Sequence, residues 1–198
     1  QLAPSVTALA DGHIAVAWAT FSSSMNLHYQ IFDPNGTKLG PERELNTHTT
    51  GSQNNVHCGQ ADVGSFACVW ESEGQDGSGV GVYGRVIGND GLPLSEEFLV
   101  SEVTDGDQTE PYTWKLGNDG FGVAWTTVTG PGANDVVLRT FGSAGNPTGD
   151  ENMVNSTLGE NQDEAACASF SKAHAACVWT SFNQDTWGDG IVYKMVDP

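Results

Sequence analysis

Four stretches of this chain end alike: IAVAW (14–18), FACVW (66–70), FGVAW (121–125) and AACVW (175–179). A glutamine stands 17 residues before each closing tryptophan, at Gln1, Gln53, Gln108 and Gln162. The tryptophans follow one another at 52, 55 and 54 residues, so the chain is a fourfold repeat. A period of that length belongs to propellers, solenoids and arrays. It constrains the fold far more than the function.

Each repeat reads as a series of short strands and tight turns. Repeat one gives a strand, an Ala-Asp-Gly turn, a second strand ending at Trp18, a polar loop, a third strand over 27–32, the turn Asp33-Pro34-Asn35-Gly36 and a short fourth strand over 42–46. Repeat two predicts strands over 56–61, 66–70, 80–87 and 96–100. Repeat three predicts 112–116, 121–125, 136–141 and 151–155, and repeat four 165–170, 175–179 and 191–196. No helical periodicity of useful length interrupts them. On the second strands one face carries large or branched residues (Ile14, Val16, Trp18 in repeat one) and the other carries small ones (Ala15, Ala17). A sheet that is apolar on both faces, bulky on one and small on the other, packs against copies of itself.

Closing that arrangement into a ring predicts an all-β, four-bladed β-propeller in one domain, with repeats 1–52, 53–107, 108–161 and 162–198. A β-sandwich is the alternative. Repeat four ends after its third strand, so the last blade is expected to be three-stranded, to belong to a longer natural chain, or to take a strand from a neighbour by edge pairing, which would be a route to self-association.

The charge excludes several partners. Twenty-five acidic side chains against seven basic ones give −18, which disfavours nucleic acid and acidic lipid headgroups. No apolar run approaches membrane-spanning length, so membrane insertion is not expected. The four cysteines fall as two pairs ten residues apart, Cys58 with Cys68 and Cys167 with Cys177. Repeats one and three carry Val6 with Val16 and Thr113 with Val123 at the matching places, so each pair is predicted to be a cross-strand disulfide rather than a zinc site. Disulfides imply an oxidising compartment, hence a secreted protein whose leader has been removed. Two glycosylation sequons, at Asn35 and Asn155, lie in turn-like settings.

Candidate sites cluster in the loop between the second and third strands. In repeats two and four this loop aligns without gaps, and Asp76, Asp185 and Asp189 offer carboxylates to a hard cation, Ca2+ being the expected cofactor, although Asp-Gly is also simply a turn former. Trp187, in the same loop of repeat four, stands beside Gln184 and could stack on a sugar ring. Trp114 is the other tryptophan outside the repeat position, a second sugar-contact candidate or a filler of the axis or an inter-blade gap. No catalytic residue is singled out: the five histidines are scattered, no hydrolase motif occurs, and spacing selects no carboxylate pair among 25 acids.

PSVTALADG (4–12), ESEGQDGSGVGVYGR (71–85) and GLPLSEEFLV (91–100) resemble the roughly 50-residue repeats of large bacterial secreted adhesins and repeats-in-toxin-type proteins. That resemblance implies an extracellular, propeller-like module of the kind found in calcium-dependent surface proteins, and no enzyme activity. The expectation is therefore a secreted, non-catalytic binding or adhesion module that takes a glycan or an extracellular surface as partner. A structural subunit of an extracellular filament or matrix is the second reading, and a glycoside hydrolase-like enzyme the third.

Overall fold

The computed structural model of the protein describes residues 1–117, 120–130, 133–184 and 187–198. It is an all-β propeller. Four antiparallel sheets follow one another along the chain. Blade 1 contains β1 (Leu2–Ala8), β2 (Ile14–Phe21), β3 (Met25–Phe32) and β4 (Lys38–Glu44). Blade 2 contains β5 (Gln53–Asp62), β6 (Ser65–Glu73), β7 (Val80–Gly88) and β8 (Phe98–Leu99). Blade 3 runs through β9 (Gln108–Lys115), β10 (Phe121–Gly130), β11 (Ala133–Phe141) and β12 (Asn152–Met153). Blade 4 has three strands, β13 (Gln162–Ser169), β14 (Ala175–Phe182) and β15 (Asp189–Val196). The first strand of each blade is innermost, with β1 against β5, β5 against β9 and β9 against β13.

Large-to-small packing holds the blades together. Ala15, Ala17 and Tyr29 of blade 1 meet Phe66, Cys68 and Trp70 of blade 2 in one core. Ala67 and Val69 of blade 2 meet Phe121, Val123 and Trp125 of blade 3 in the next, and Ala124 and Leu138 of blade 3 meet Cys177 and Trp179 of blade 4 in the third. Trp70 and Trp125 are wholly buried, and each buried aromatic of this kind contributes roughly 1.5–3 kcal/mol.

A cation ties each blade to the one before it. Arg85 donates from Nη1 to the Leu45 carbonyl, Arg139 from Nη1 to the Val100 carbonyl, and Lys194 from Nζ to the Val154 carbonyl. These carbonyls close the preceding blade, so each bond crosses an interface the apolar packing has already formed.

The first strands begin earlier than hydrophobic periodicity predicts, at or beside the repeat glutamine, because each contains a bulge. Two residues, Ala3-Pro4, Asn55-Val56, Glu110-Pro111 or Glu164-Ala165, oppose one repeat tryptophan in each blade. The first of each pair is left-handed, with φ of 46°, 51°, 55° and 55°. Such φ values are uncommon outside glycine, and a bulge that re-aims a side chain is a recurrent device beside functional sites. The repeat glutamine precedes the bulge. In blade 4 its Oε1 accepts the Trp179 Nε1–H at 2.9 Å, which accounts for the fixed spacing of Gln162 and Trp179.

Both predicted disulfides are formed, Cys58–Cys68 and Cys167–Cys177, each between directly opposed residues of the first two strands. Asn155 corrects the glycosylation expectation. It is buried, accepts the Val136 N–H at 2.8 Å, and donates its own amide to Asp135 and to the Thr157 carbonyl, so it pins a turn and is closed to a glycan. Asn35 is exposed in the turn that Asp33 organises.

Candidate active site

The four bulges converge on the axis. Ala3, Asn55, Glu110 and Glu164 all line one cavity of about 600 Å3 at the end where the first strands begin. The repeat therefore delivers one side chain per blade to a common point, in a left-handed conformation that turns it out of the ladder. Blade 1 offers a methyl group there; blades 2, 3 and 4 offer an amide and two carboxylates.

In blades 2 to 4 the residue that follows the repeat tryptophan completes the arrangement. Asn55 Nδ2 donates to Glu71 Oε1 at 2.9 Å, Thr126 Oγ1 donates to Glu110 Oε2 at 2.9 Å, and Thr180 Oγ1 donates to Glu164 Oε2 at 3.3 Å. Two of these carboxylates also accept a backbone donor from the next blade. Glu71 Oε1 takes the Glu110 N–H at 2.8 Å, and Glu110 Oε2 takes the Glu164 N–H at 3.0 Å. The inner strands of neighbouring blades share no ladder, so their facing N–H groups need side-chain acceptors. One rung along the channel, the Cys58 N–H reaches Ser5 Oγ and the Thr113 N–H reaches His57 Nδ1, by the same logic.

Electrostatics separate the acids. Burial first, then the charges of Glu110, Glu164 and Asp189, hold the Asp163 carboxyl above its ordinary value. Glu110 Oε2 is fixed as an acceptor by two donors, the Thr126 hydroxyl and the Glu164 N–H. The arrangement thus sets a carboxyl of raised pKa within the field of a carboxylate that receives two hydrogen bonds.

His57 and Tyr112 stack at 4.1 Å between ring centroids where this cavity meets a second one of about 400 Å3 deeper in the channel. Desolvation lowers the His57 pKa to about 4. Because Nδ1 accepts the Thr113 N–H, the neutral ring carries its proton on Nε2.

The residues singled out from sequence lie elsewhere. Trp114 is corrected as a ligand contact: it is buried between blades 3 and 4, donates from Nε1 to Ser169 Oγ at 3.2 Å and covers Gly122. Gln184 Oε1 accepts the Ser181 hydroxyl at 2.9 Å, as Gln75 Oε1 accepts that of Ser72 at 2.6 Å, so both glutamines fasten their own loops. Trp187 is 90% exposed on the loop after β14, at the same end of the blade as the Glu164 bulge. Of the three expected metal ligands, Asp76 accepts the Ser78 N–H in a turn and Asp189 is exposed at the start of β15, while Asp185 lies outside the described residues. Among the described residues no three His, Cys, Asp or Glu side chains come together to hold a metal ion. Spacing selected none of the acids at the axis: Glu110 and Glu164 line the cavity, Glu71 holds the Glu110 N–H, and Asp163 lies within the field of Glu110 and Glu164. A signal for three of them was present: they fall two residues after the repeat glutamine or one after the repeat tryptophan, polar positions locked to the period inside apolar strands.

No family model and no curated relative matches the chain. Solved structures do. A protein of unknown function from Dyadobacter fermentans aligns at TM-score 0.68 and 11% identity over 93% of this chain and 50% of its own. The GH93 α-L-arabinofuranosidase of Fusarium graminearum, solved with arabinobiose, aligns at 0.68 and 11% over 100% of this chain and 62% of its own. An endo-arabinase from Bacteroides thetaiotaomicron aligns at 0.57 and 13% over 98% and 74%. The chain thus spans half to three quarters of the length of these proteins, and at such identities the likeness establishes the propeller fold. Sugar hydrolases among the neighbours nevertheless overturn the expectation of a non-catalytic binding or adhesion module, and with it the expectation that the chain is not an enzyme.

Proposed function

We propose that this protein is a glycoside hydrolase that acts on neutral sugars. The observation that carries the reading is the carboxylate arrangement at the axis, where Glu110 and Glu164 from adjacent blades line one cavity and Asp163 stands within their field. Glycosidic cleavage needs one carboxyl that protonates the leaving oxygen and one carboxylate that activates water or attacks the anomeric carbon. Asp163 suits the first role because burial and the charges of Glu110, Glu164 and Asp189 raise its pKa. Glu110 suits the second, fixed by Thr126 and by the Glu164 N–H, with Glu71 positioning the Glu110 backbone.

The cavity lining contains no Lys or Arg among the described residues, and it carries two carboxylates. An anionic sugar would enter against like charge with nothing to pair with, so neutral glycosides are favoured over uronates. The arabinose-cleaving neighbours support a neutral pentose substrate. Tyr112 supplies an aromatic surface in the cavity, and the exposed Trp187 provides a further platform at the same end. The two disulfides point to an oxidising environment, and secretion is part of the same reading.

The test is a panel of aryl glycosides: neutral α-L-arabinofuranoside and hexosides against an aryl glucuronide. Hydrolysis of a neutral member is expected, with kcat lowered roughly 10²- to 10⁴-fold in Glu110→Gln while both disulfides and the thermal midpoint persist. Hydrolysis that survives Glu110→Gln unchanged, or a preference for the glucuronide, would overturn the assignment.

A further inference from the structure

Each inner strand brings a second residue to the axial cavity, two places after its left-handed bulge residue. These residues are Ser5, His57, Tyr112 and Ala166, and all four line the same space of about 600 Å3 as Glu110 and Glu164. Blades 1 and 4 place small side chains in this layer, whereas blades 2 and 3 place two stacked rings there. His57 and Tyr112 also line the deeper cavity, so the ring pair forms a shelf between the two spaces. Of the two rings, His57 carries a polar group whose direction is fixed. Its Nδ1 accepts the Thr113 N–H at 3.2 Å, and its face lies against Tyr112 at 4.1 Å between centroids. Burial keeps the ring neutral, with a pKa of about 4, so Nε2 holds the proton and acts as a donor only.

That donor has no partner in the protein. Among the described residues nothing accepts from His57 Nε2, and the atom is not sealed inside the fold. A donor already held at two points loses little freedom when a ligand arrives. The groups around it specify what the ligand must offer. Glu110 and Glu164, in the layer nearer the start of the strands, are acceptors, and His57 is a donor. A sugar hydroxyl answers both, accepting from Nε2 while giving its own proton to a carboxylate. A ring or glycosidic oxygen satisfies the donor only. A uronate carboxylate would meet a neutral donor, which does not offset the like charge of Glu110 and Glu164.

We propose, resting on the glycoside hydrolase reading, that His57 is a specificity-determining residue of the sugar site: its Nε2–H donates to one hydroxyl of a neutral sugar seated on the His57–Tyr112 shelf, and that hydroxyl donates in turn to a carboxylate of the neighbouring layer. The contact selects for a hydroxyl at one position of the sugar and fixes how the ring faces Glu110. A purely structural His57 would need only the acceptor for Thr113 and the face for Tyr112, and a ring that keeps both without the Nε2–H separates the two roles.

The test uses the full chain with Glu110→Gln, which binds without turnover, and replaces His57 by 4-thiazolylalanine. That ring keeps the nitrogen that accepts from Thr113 and the face that stacks on Tyr112, and has sulfur in place of the Nε2–H. Titration calorimetry with arabinotriose is expected to give an affinity about tenfold weaker than with His57, at an unchanged thermal midpoint. One monodeoxy arabinotriose is expected to lose the same factor against His57 and nothing more against the thiazole, because the two partners of one hydrogen bond do not add. In the proton NMR spectrum the Nε2–H signal, identified by its loss in the thiazole chain, is expected to move downfield when arabinotriose is added to the Glu110→Gln chain. Arabinotriose bound equally by both rings, or losses that add for every deoxy analogue, would overturn the His57 contact and leave the hydrolase reading standing. Arabinotriose left unbound would overturn the contact as well, and cleavage of a neutral aryl glycoside by the natural chain then decides whether the hydrolase reading falls with it.

Discussion

His57 makes the protein's stability depend on pH in a defined window. Its ring is largely buried against Tyr112, its Nδ1 accepts the Thr113 N–H, and its pKa lies at about 4 against 6.5 for a free imidazole. Between those values the unfolded chain binds a proton that the folded chain refuses. The stabilisation by neutral His57 is therefore complete above about pH 6.5, declines as pH falls through the window, and is lost by about pH 4. At about 1.4 kcal/mol per pH unit the whole effect amounts to about 3 kcal/mol. The assay is urea denaturation from pH 7.5 to 4 with the disulfides intact, comparing the natural chain with His57→Gln, which keeps an acceptor for Thr113. The substitution should lower stability at pH 7.5 through lost stacking, and the difference between the two proteins should shrink steadily toward pH 4. The lowered carboxyl pKa values of Asp33 and Glu97 act on both proteins alike and cancel. Parallel curves for the two proteins would refute the account of a buried neutral imidazole.

Three further outcomes follow from individual contacts. Gly122→Ala places a methyl group inside the Trp114 ring and should cost about 1–3 kcal/mol by overpacking the blade 3–4 interface, read as a lower urea midpoint at unchanged slope. Replacing Cys58 and Cys68 by the valine pair that blade 1 carries at Val6 and Val16 should cost roughly 2.5–3 kcal/mol through the lost cross-link, less whatever the valine packing returns, with the fold retained by circular dichroism. Asp163→Asn should raise the thermal midpoint at pH 7, because the raised pKa of Asp163 means the folded state gains stability only as pH falls and the carboxyl protonates. The same substitution should slow hydrolysis of glycosides with poor leaving groups far more than that of activated aryl glycosides, the signature of a lost proton donor.

The repeat made the fold legible because packing wrote it twice. Ile14, Val16 and Trp18 against Ala15 and Ala17 defined a bulky and a small face, and the three blade interfaces use those faces. The opposed cysteines were equally readable, since a ten-residue spacing in two repeats met a Val–Val neighbour in a third. The bulges were not. A strand's side-chain period of two gives no sign of where one residue is inserted, so Asn55, Glu110 and Glu164 read as ordinary polar residues at strand beginnings. Trp114 was open to two readings, and the structure bears out the inter-blade filler and not the sugar contact, because Gly122 on the paired strand makes room for the indole. Attention to loops, where Asp76, Gln184 and Trp187 stand, passed over acids whose chemistry comes from four strands meeting on one axis.

Binding of a neutral pentose trisaccharide to the Glu110→Gln chain, measured by isothermal titration calorimetry, tests the central claim most directly because it separates recognition from turnover. The account predicts one site per chain, affinity at least tenfold weaker when Tyr112→Ala is added, and no competition from the corresponding uronate. Absence of binding, or binding indifferent to Tyr112→Ala, would contradict the placement of the substrate in the carboxylate-lined cavity at the axis.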